Sequence, residues 1–197
     1  MGSVTGLVLA AGGSRRLGRA KQLLPLGDGT LLDATLDMAR RCGFDQLVVA
    51  LGGSADDVVA TVDLSGAEVV RNDAYGSGCS SSIVAALPAV AADADGVVLL
   101  LGDQPFVAPE SVVGLVRAAR GAAVGVCQYR DGIGHPFWLG RETFDALGRL
   151  HGDKGVWKLV DAAGPTLVSY PVDAAVPRDV DTWDDYQELL AEREARP

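Results

Sequence analysis

Short apolar segments without polar alternation recur along this chain, and helical patterns separate them. Segments of this kind are typical of strands that are covered on both faces, as in a parallel sheet. The alternation of strand and helix predicts right-handed crossovers and a doubly wound, mostly parallel α/β sheet. The predicted strands cover residues 4–10, 46–51, 67–71, 96–101, 122–127, 137–139 and 166–170.

Capping residues and apolar spacing locate the helices between these strands. Thr30 is a candidate N-cap for a helix over 31–42, and Thr182 with Asp185 resembles a capping box that begins the last helix. Pro109 suits the first turn of another helix. The other predicted helices cover residues 54–62, 83–90, 109–121, 141–147 and 154–163.

The length and charge of the chain limit its function. A length of 197 residues suits a single domain. The formal charge of −9 disfavours binding to nucleic acid or to an anionic membrane surface. There is neither a secretory leader pattern nor an apolar run that could span a bilayer, and three widely spaced cysteines fit a reducing compartment. We therefore expect a soluble cytoplasmic protein.

A glycine-rich loop with four basic residues follows the first predicted strand. Gly12 and Gly13 expose backbone N–H groups, which can bind an anion beyond the carboxyl end of a strand. Arginine and lysine side chains could compensate the charge of a triphosphate. The basic residues are Arg15, Arg16, Arg19 and Lys21. A glycine turn beside a solvated basic patch is the alternative that the composition leaves open.

A carboxylate follows another strand at the same predicted edge of the sheet. Gly102 and Asp103 come directly after the apolar segment 96–101, so Asp103 is expected to face the glycine-rich loop. Mg²⁺ is commonly held by one or two carboxylates together with substrate phosphates and water. Such an ion would neutralise charge and help to align an in-line displacement. The alternative is an aspartate that only stabilises a turn.

Both segments resemble motifs of one enzyme family. LAAGGSRRLGRAKQLLP, which begins at Leu9, resembles the signature loop of the nucleotidyltransferases that include molybdenum cofactor cytidylyltransferases and guanylyltransferases. Leu17 stands where that family usually has methionine. GDQP at 102–105 resembles the family's GDxP motif. The resemblance implies one Rossmann-like, GT-A-like domain over 1–197, with an NTP-binding half at 1–130 and an acceptor-binding half at 131–197.

The resemblance also implies roles for individual residues. Arg16, Lys21 and Asp103 would be the catalytic residues, and Asp103 would bind Mg²⁺ together with Asp179. The segment 178–182 resembles the family's D-[IV]-D-T segment, in which Asp181 is either the alternative metal ligand or only a helix-capping residue. The implied NTP-binding residues are Leu9, Ala10, Ala11, Gly12, Gly13, Ser14, Arg15, Lys21, Ser80, Ser81 and Gly102.

Three further segments narrow the substrates. The pattern N-x-x-Y-x-x-G-x-x-S-S at 72–82 resembles the cytidylyltransferase branch, whereas the G-P-L-x-G segment typical of the guanylyltransferase branch is missing from the sequence. GHP at 134–136 and GDKG at 152–155 resemble acceptor-side motifs. They imply acceptor contacts from His135, to a phosphate or to a pterin, and from Asp153 and Lys154. A histidine packed at a proline turn and a solvated lysine are the alternatives.

The resulting prediction is a Mg²⁺-dependent transfer of CMP from CTP to the phosphate of a molybdopterin-type cofactor, with release of pyrophosphate. A molybdoenzyme or its chaperone would be a protein partner. The alternatives are another NTP such as GTP, an acceptor that is a sugar phosphate or alditol phosphate, and a non-catalytic chaperone that binds the nucleotide and the cofactor.

Overall fold

Nine strands form the β-structure of the computed structural model, which describes residues 2–14, 16–152 and 155–195. They are β1 (Ser3–Ala10), β2 (Pro25–Leu26), β3 (Gly29–Thr30), β4 (Gln46–Leu51), β5 (Glu68–Arg71), β6 (Ala94–Leu101), β7 (Val124–Tyr129), β8 (Gly132–Gly140) and β9 (Val168–Pro171). Seven of them form one sheet in the order β5-β4-β1-β6-β8-β7-β9, while β2 and β3 form a small hairpin.

The large sheet is mostly parallel, as the sequence predicts. β1 pairs in parallel with β4 and β6, β4 with β5, and β7 with β9. β8 is antiparallel to both of its neighbours, β6 and β7. Only Arg130 and Asp131 connect β7 to β8, and a connection this short joins antiparallel strands rather than parallel ones. The predicted strand at 137–139 is therefore only the end of a nine-residue strand.

Helices cover both faces of this sheet. They are α1 (Leu31–Arg40), α2 (Ala55–Thr61), α3 (Cys79–Ala86), α4 (Pro109–Ala119), α5 (Phe144–Leu147), α6 (Gly155–Ala163) and α7 (Trp183–Glu194). α1, α2 and α4 bury apolar side chains against one face, with Val8 of β1 among them. α3, α5 and α6 pack on the other face with Leu9 of the same strand. The sheet is thus doubly wound, and Val8 and Leu9 point in opposite directions because side chains alternate along a strand.

Two matching capping boxes fix the starts of α1 and α7. Thr30 accepts a hydrogen bond from the Asp33 N–H at 3.1 Å, and the Asp33 carboxylate accepts one from the Thr30 N–H at 2.8 Å. Thr182 and Asp185 repeat this arrangement at 3.2 and 2.7 Å. The capping predictions at both threonines are therefore confirmed. Within the described ranges, no helix combines the length and the apolar content needed to cross a membrane.

Several predicted helix boundaries are wrong by a few residues. The helix predicted over 83–90 begins at Cys79 and ends at Ala86, before a 3-10 turn that contains Pro88. Proline has no N–H with which to continue an α-helix. Of the helix predicted over 141–147, only Phe144–Leu147 is α-helical, after a 3-10 turn.

The central strands bring two loops together at one edge of the sheet. The Gly102 N–H donates to the Leu9 carbonyl oxygen at 2.9 Å. A Cβ atom added to Gly102 would lie 2.8 Å from the Ala10 Cβ, so glycine allows the ends of β1 and β6 to approach this closely. The loop after β1 therefore lies beside the Asp103 turn.

Candidate active site

A cavity of about 510 Å³ opens where β1 and β6 end. It joins the glycine-rich loop, the Asp103 turn, the start of α3 and the segment before α7. The lining residues are Leu9, Ala10, Ala11, Gly12, Gly13, Lys21, Gln22, Tyr75, Gly76, Ser77, Gly78, Cys79, Ser82, Leu101, Gly102, Asp103, Asp179 and Asp181. The expectation that the two motif-bearing loops meet is confirmed.

Lys21 is the central cation of this cavity. Its Nζ atom lies 2.6 Å from Oδ2 of Asp103 and 3.0 Å from Oδ1 of Asp181. The Lys21 and Asp103 side chains are only 15% and 9% exposed. The Arg16 guanidinium joins the group through Asp181, at 2.6 Å from its Oδ2. The structure thus brings together the three predicted catalytic residues and adds a carboxylate that links two of them.

The charges of this group stabilise one another. Burial opposes the ionisation of Lys21, but the Asp103 and Asp181 carboxylates outweigh it, so the pKa of Lys21 is raised. Burial likewise opposes the ionisation of Asp181. Hydrogen bonds and positive charge from Lys21 and Arg16 outweigh that effect and lower the pKa of Asp181. We infer that both groups are ionised at neutral pH.

Asp179 supplies a second carboxylate beside Asp103. Its Oδ1 accepts a hydrogen bond from Gln104 Nε2 at 2.8 Å. Burial raises the pKa of Asp179, and the negative charge of Asp103 raises it further. A bound divalent cation would relieve this repulsion through its positive charge. The carboxylate oxygens of Asp103 and Asp179 are hard donors, which suit Mg²⁺ or Mn²⁺. The described residues hold no cluster of three or more metal-binding side chains, so phosphate and water would complete the coordination of such a metal.

Ser14 and Gln22 shape the glycine-rich loop. Ser14 adopts a positive φ of 46°, and its hydroxyl accepts a hydrogen bond from the Lys21 N–H at 2.9 Å. The amide of Gln22, a residue only 3% exposed, donates to the carbonyl oxygens of Ala10 and Gly12 at 2.6 and 3.1 Å. These bonds hold both carbonyl groups in place. The sequence predicted the loop but not the role of Gln22 in holding it. The available signal for that role was the position of Gln22 next to Lys21.

Comparison with known proteins places the chain in a family. Residues 6–167 match the MobA-like NTP transferase domain. The chain belongs to this family. Nucleotidyl transfer is therefore the reaction class that the comparison supports.

Two named proteins are similar to this chain over different shares of their length. The chain is 30% identical over 198 residues to the nicotine blue oxidoreductase of Paenarthrobacter nicotinovorans, an alignment that covers 95% of this chain and 96% of that one. It is 29% identical over 154 residues to the bifunctional protein GlmU of Pelobacter propionicus, which covers 76% of this chain and 33% of that protein. The chain thus spans about a third of the GlmU relative.

Solved structures agree with the fold. Rv0371c of Mycobacterium tuberculosis H37Rv is 51% identical and has a TM-score of 0.91, with 96% of this chain and 98% of that chain covered. A second structure, of Rv0371c in complex with manganese, is 49% identical and has a TM-score of 0.86 over the same shares of both chains.

The Asn72 side chain organises the cavity at its α3 end. Its Nδ2 donates to the hydroxyl oxygens of Ser81 at 2.8 Å and Ser82 at 3.0 Å. Ser82 lines the cavity, whereas Ser80 and Ser81 do not. The Ser80 N–H instead donates to the Gly152 carbonyl at 3.1 Å. Nucleotide contacts by Ser80 and Ser81 stay predictions.

His135 is not among the residues that line the cavity. Its ring stacks on Phe137 with the centroids 4.2 Å apart, and the Phe137 ring in turn meets the Trp157 ring edge-on at 5.1 Å. His135 is only partly shielded from solvent, yet burial of its ring lowers its pKa to about 4. It is therefore neutral at pH 7. The predicted contacts by Arg15, Asp153 and Lys154 lie outside the described residues.

Proposed function

We propose that this chain is a Mg²⁺-dependent cytidylyltransferase that transfers CMP from CTP to the phosphate of a molybdopterin-type cofactor. Pyrophosphate is the second product. The observation that carries the proposal is the meeting of Lys21 and Asp103 at 2.6 Å, where the glycine-rich loop and the GDQP turn line one cavity. A cation of the kind that binds phosphate and a carboxylate of the kind that binds Mg²⁺ therefore lie side by side.

In this reaction a phosphate oxygen of the acceptor attacks the α-phosphorus of CTP. A new P–O bond forms, the bond from the α-phosphorus to the bridging oxygen breaks, and its electron pair leaves with pyrophosphate. The nucleophile is already anionic, so the protein needs no strong general base. Arg16 and Lys21 bind and neutralise the triphosphate, and catalysis comes from positioning and electrostatic stabilisation.

Asp103 and Asp179 are the proposed ligands of the metal. A bound Mg²⁺ would withdraw negative charge from the phosphates at the reacting centre. The manganese complex of Rv0371c supports a divalent ion, and the oxygen-only donor set agrees with Mg²⁺. The Gln104 amide holds Asp179 in place through its 2.8 Å hydrogen bond.

The distribution of charge along the cavity orients the nucleotide. Among the described residues, the charged side chains that line the cavity lie on the side of the glycine-rich loop and the proposed metal ligands, and they are Lys21, Asp103, Asp179 and Asp181. The side formed by Tyr75–Ser77, the following two residues and Ser82 is uncharged. The phosphates therefore face Lys21 and the base faces α3. The choice of CTP rests on the 72–82 motif at that end.

The acceptor is assigned to the half that contains His135. A neutral His135 cannot bind phosphate by charge, so its role in this proposal is contact with the heteroaromatic pterin. The exposed Trp157 ring, which meets Phe137, adds an aromatic surface nearby. Asp153 and Lys154 are the proposed contacts to the acceptor phosphate, and a molybdoenzyme or its chaperone is the proposed recipient of the product.

Pyrophosphate release tests the proposal. The protein is incubated with Mg²⁺ and each of CTP, GTP, ATP and UTP, with and without molybdenum-loaded pterin cofactor. Release with CTP plus cofactor supports the assignment, and release with another NTP corrects the base. No release with this cofactor from folded protein would overturn the acceptor, and sugar phosphates and alditol phosphates would be tested next. Tight binding of both ligands without release would indicate a chaperone.

The name of one relative favours a second candidate. Nicotine blue oxidoreductase aligns with 95% of this chain, and its name states a redox reaction rather than nucleotidyl transfer. Incubation with nicotine blue under reducing and oxidising conditions tests this activity. The variant Asp103→Asn separates the two reactions, because loss of the metal carboxylate strongly lowers metal-dependent pyrophosphate release. A fully active Asp103→Asn variant would show that the metal assignment is wrong.

A further inference from the structure

The Asp181 carboxylate forms ion pairs with Arg16 and Lys21, the two cations that bind the triphosphate in the proposed function. One carboxylate oxygen lies 2.6 Å from the Arg16 guanidinium and the other 3.0 Å from Lys21 Nζ. We propose that Asp181 is a positioning residue that holds Arg16 and Lys21 before the nucleotide binds and releases them to the triphosphate. The proposal rests on the proposed function, since it takes the triphosphate as the ligand of these cations.

The Asp181 carboxylate is not required by the helix that follows it. The backbone N–H of Asp181, not its side chain, donates to the Asp185 carboxylate at 3.0 Å. Thr182 provides the side-chain cap of α7. Within the described residues, the hydrogen bonds that the Asp181 carboxylate accepts come from Arg16 and Lys21. Its contacts therefore fit an electrostatic role better than a capping role.

The two carboxylates that contact Lys21 differ in accessibility. The Asp103 side chain is 9% exposed, whereas the Asp181 side chain is 45% exposed. An exposed ion pair is weak and easily exchanged, whereas a buried carboxylate that loses its partner is costly. A triphosphate that enters the cavity therefore displaces Asp181 from Lys21 more readily than it displaces Asp103.

This exchange makes nucleotide binding depend on the metal. Arg16 and Lys21 trade one anionic acceptor for another, so much of the gain from phosphate binding is offset by the loss of Asp181. The displaced Asp181 carboxylate then stands near phosphates of the same charge. A divalent cation relieves that repulsion. Asp181 thus weakens binding of a metal-free triphosphate and increases the coupling between nucleotide and metal.

Binding of inorganic tripolyphosphate and of CTP to Asp181→Asn tests the proposal. Asparagine keeps the size of the side chain and removes its charge. In EDTA, calorimetry is expected to show Kd values about threefold to tenfold lower than wild type for both ligands, the range of partly exposed ion pairs. The factor by which Mg²⁺ tightens CTP binding is expected to shrink correspondingly. A residue that only supports the local structure would give weaker binding in EDTA.

Asp184→Asn is the matched control, because it removes the same charge from an exposed position in the first turn of α7. It is expected to leave the Kd values within about twofold of wild type, since exposed charges are screened by solvent and salt. Equal or weaker binding by Asp181→Asn, or an equal gain in Asp184→Asn, would overturn the proposal.

Two further measurements separate the possible failures. Asp181→Ser is measured in the same way, so that misfolding of one variant does not decide the result. Wild-type protein that binds neither tripolyphosphate nor CTP would instead overturn the proposed function, and this proposal with it.

Discussion

The Nζ atom of Lys21 lies 2.6 Å from Oδ2 of Asp103, although 82 positions separate these residues in the chain. Both side chains are largely buried. We expect Lys21→Met to lower the free energy of unfolding by roughly 1–3 kcal/mol, because the largely buried Asp103 carboxylate loses a hydrogen-bond partner. Urea denaturation of the single variants and of Lys21→Met/Asp103→Asn measures this loss. The double variant is expected to lose less than the sum of the two single losses.

Additive losses in that cycle would show that the two charges do not stabilise each other. The same variants are expected to lose turnover by a factor of about 10² to 10³, the usual cost of removing one group that stabilises transition-state charge. Circular dichroism confirms the fold of each variant before the rates are compared.

Gln22 gives a second prediction, since its amide ties down two carbonyl groups of the glycine-rich loop. Gln22→Glu places a carboxylate against the Ala10 and Gly12 carbonyl oxygens, and Gln22→Met leaves both oxygens without this donor. We expect the Kd for CTP to rise about tenfold in Gln22→Met and further in Gln22→Glu, because unpaired buried polar groups are costly. Gln187→Glu, an exposed position in α7, is the matched control and is expected to bind CTP normally. Normal CTP binding by Gln22→Glu would show that nucleotide binding does not depend on the hydrogen bonds of the Gln22 amide to the loop.

A third prediction concerns the glycine after β4. A Cβ atom added to Gly52 would clash with the Ala11 carbonyl oxygen and would lie 2.9 Å from the Tyr75 Cβ. Gly52→Ala is expected to cost roughly 1–3 kcal/mol of stability and to weaken CTP binding, because the loop backbone must move. Gly76 lines the same cavity, but a Cβ atom added there would meet no atom within 4 Å. The stability of Gly76→Ala is therefore expected to match that of wild type. Thermal denaturation compares the two, and equal melting temperatures would show that the loop yields without cost.

His135 gives a prediction for pH. Its pKa is about 4 in the folded protein, below the ordinary value of 6.5, because burial disfavours the charged ring. The unfolded chain therefore binds more protons between these two values, and stability falls as the pH drops through that range. From pH 7.5 to pH 5, wild type is expected to lose roughly 1–2 kcal/mol more than His135→Gln. If the free energy of unfolding, measured by urea denaturation, changed equally with pH in wild type and in His135→Gln, the pKa of His135 would not be lowered by folding.

The core strands were the most predictable part of the fold. The segments predicted at 4–10, 46–51 and 96–101 agree closely with β1, β4 and β6, because a strand buried on both faces has no polar interruption. β8 was largely missed. Gly132, Gly134 and Pro136 lie within it, and both residue types are unfavourable in strands. Its place between β6 and β7 depends on pairing that the local sequence does not encode.

The candidate site was predictable where it follows from strand ends. The meeting of Lys21 and Asp103 could be expected because the loops after β1 and β6 share an edge of the sheet. The Asp181 ion pairs and the hydrogen bonds from the Gln22 amide to the glycine-rich loop could not be predicted. The first depends on where the chain returns before α7, and the second depends on which way one side chain points.

The antiparallel placement of β8 has a mechanical consequence. β8 pairs with β6 on one side and with β7 on the other, so the strands that carry the phosphate loop and those of the proposed acceptor half share one continuous hydrogen-bonded ladder. Rotation of one half against the other would break that ladder. The substrates must therefore be aligned by loops and side chains on a rigid platform, rather than by two lobes that clamp shut around them.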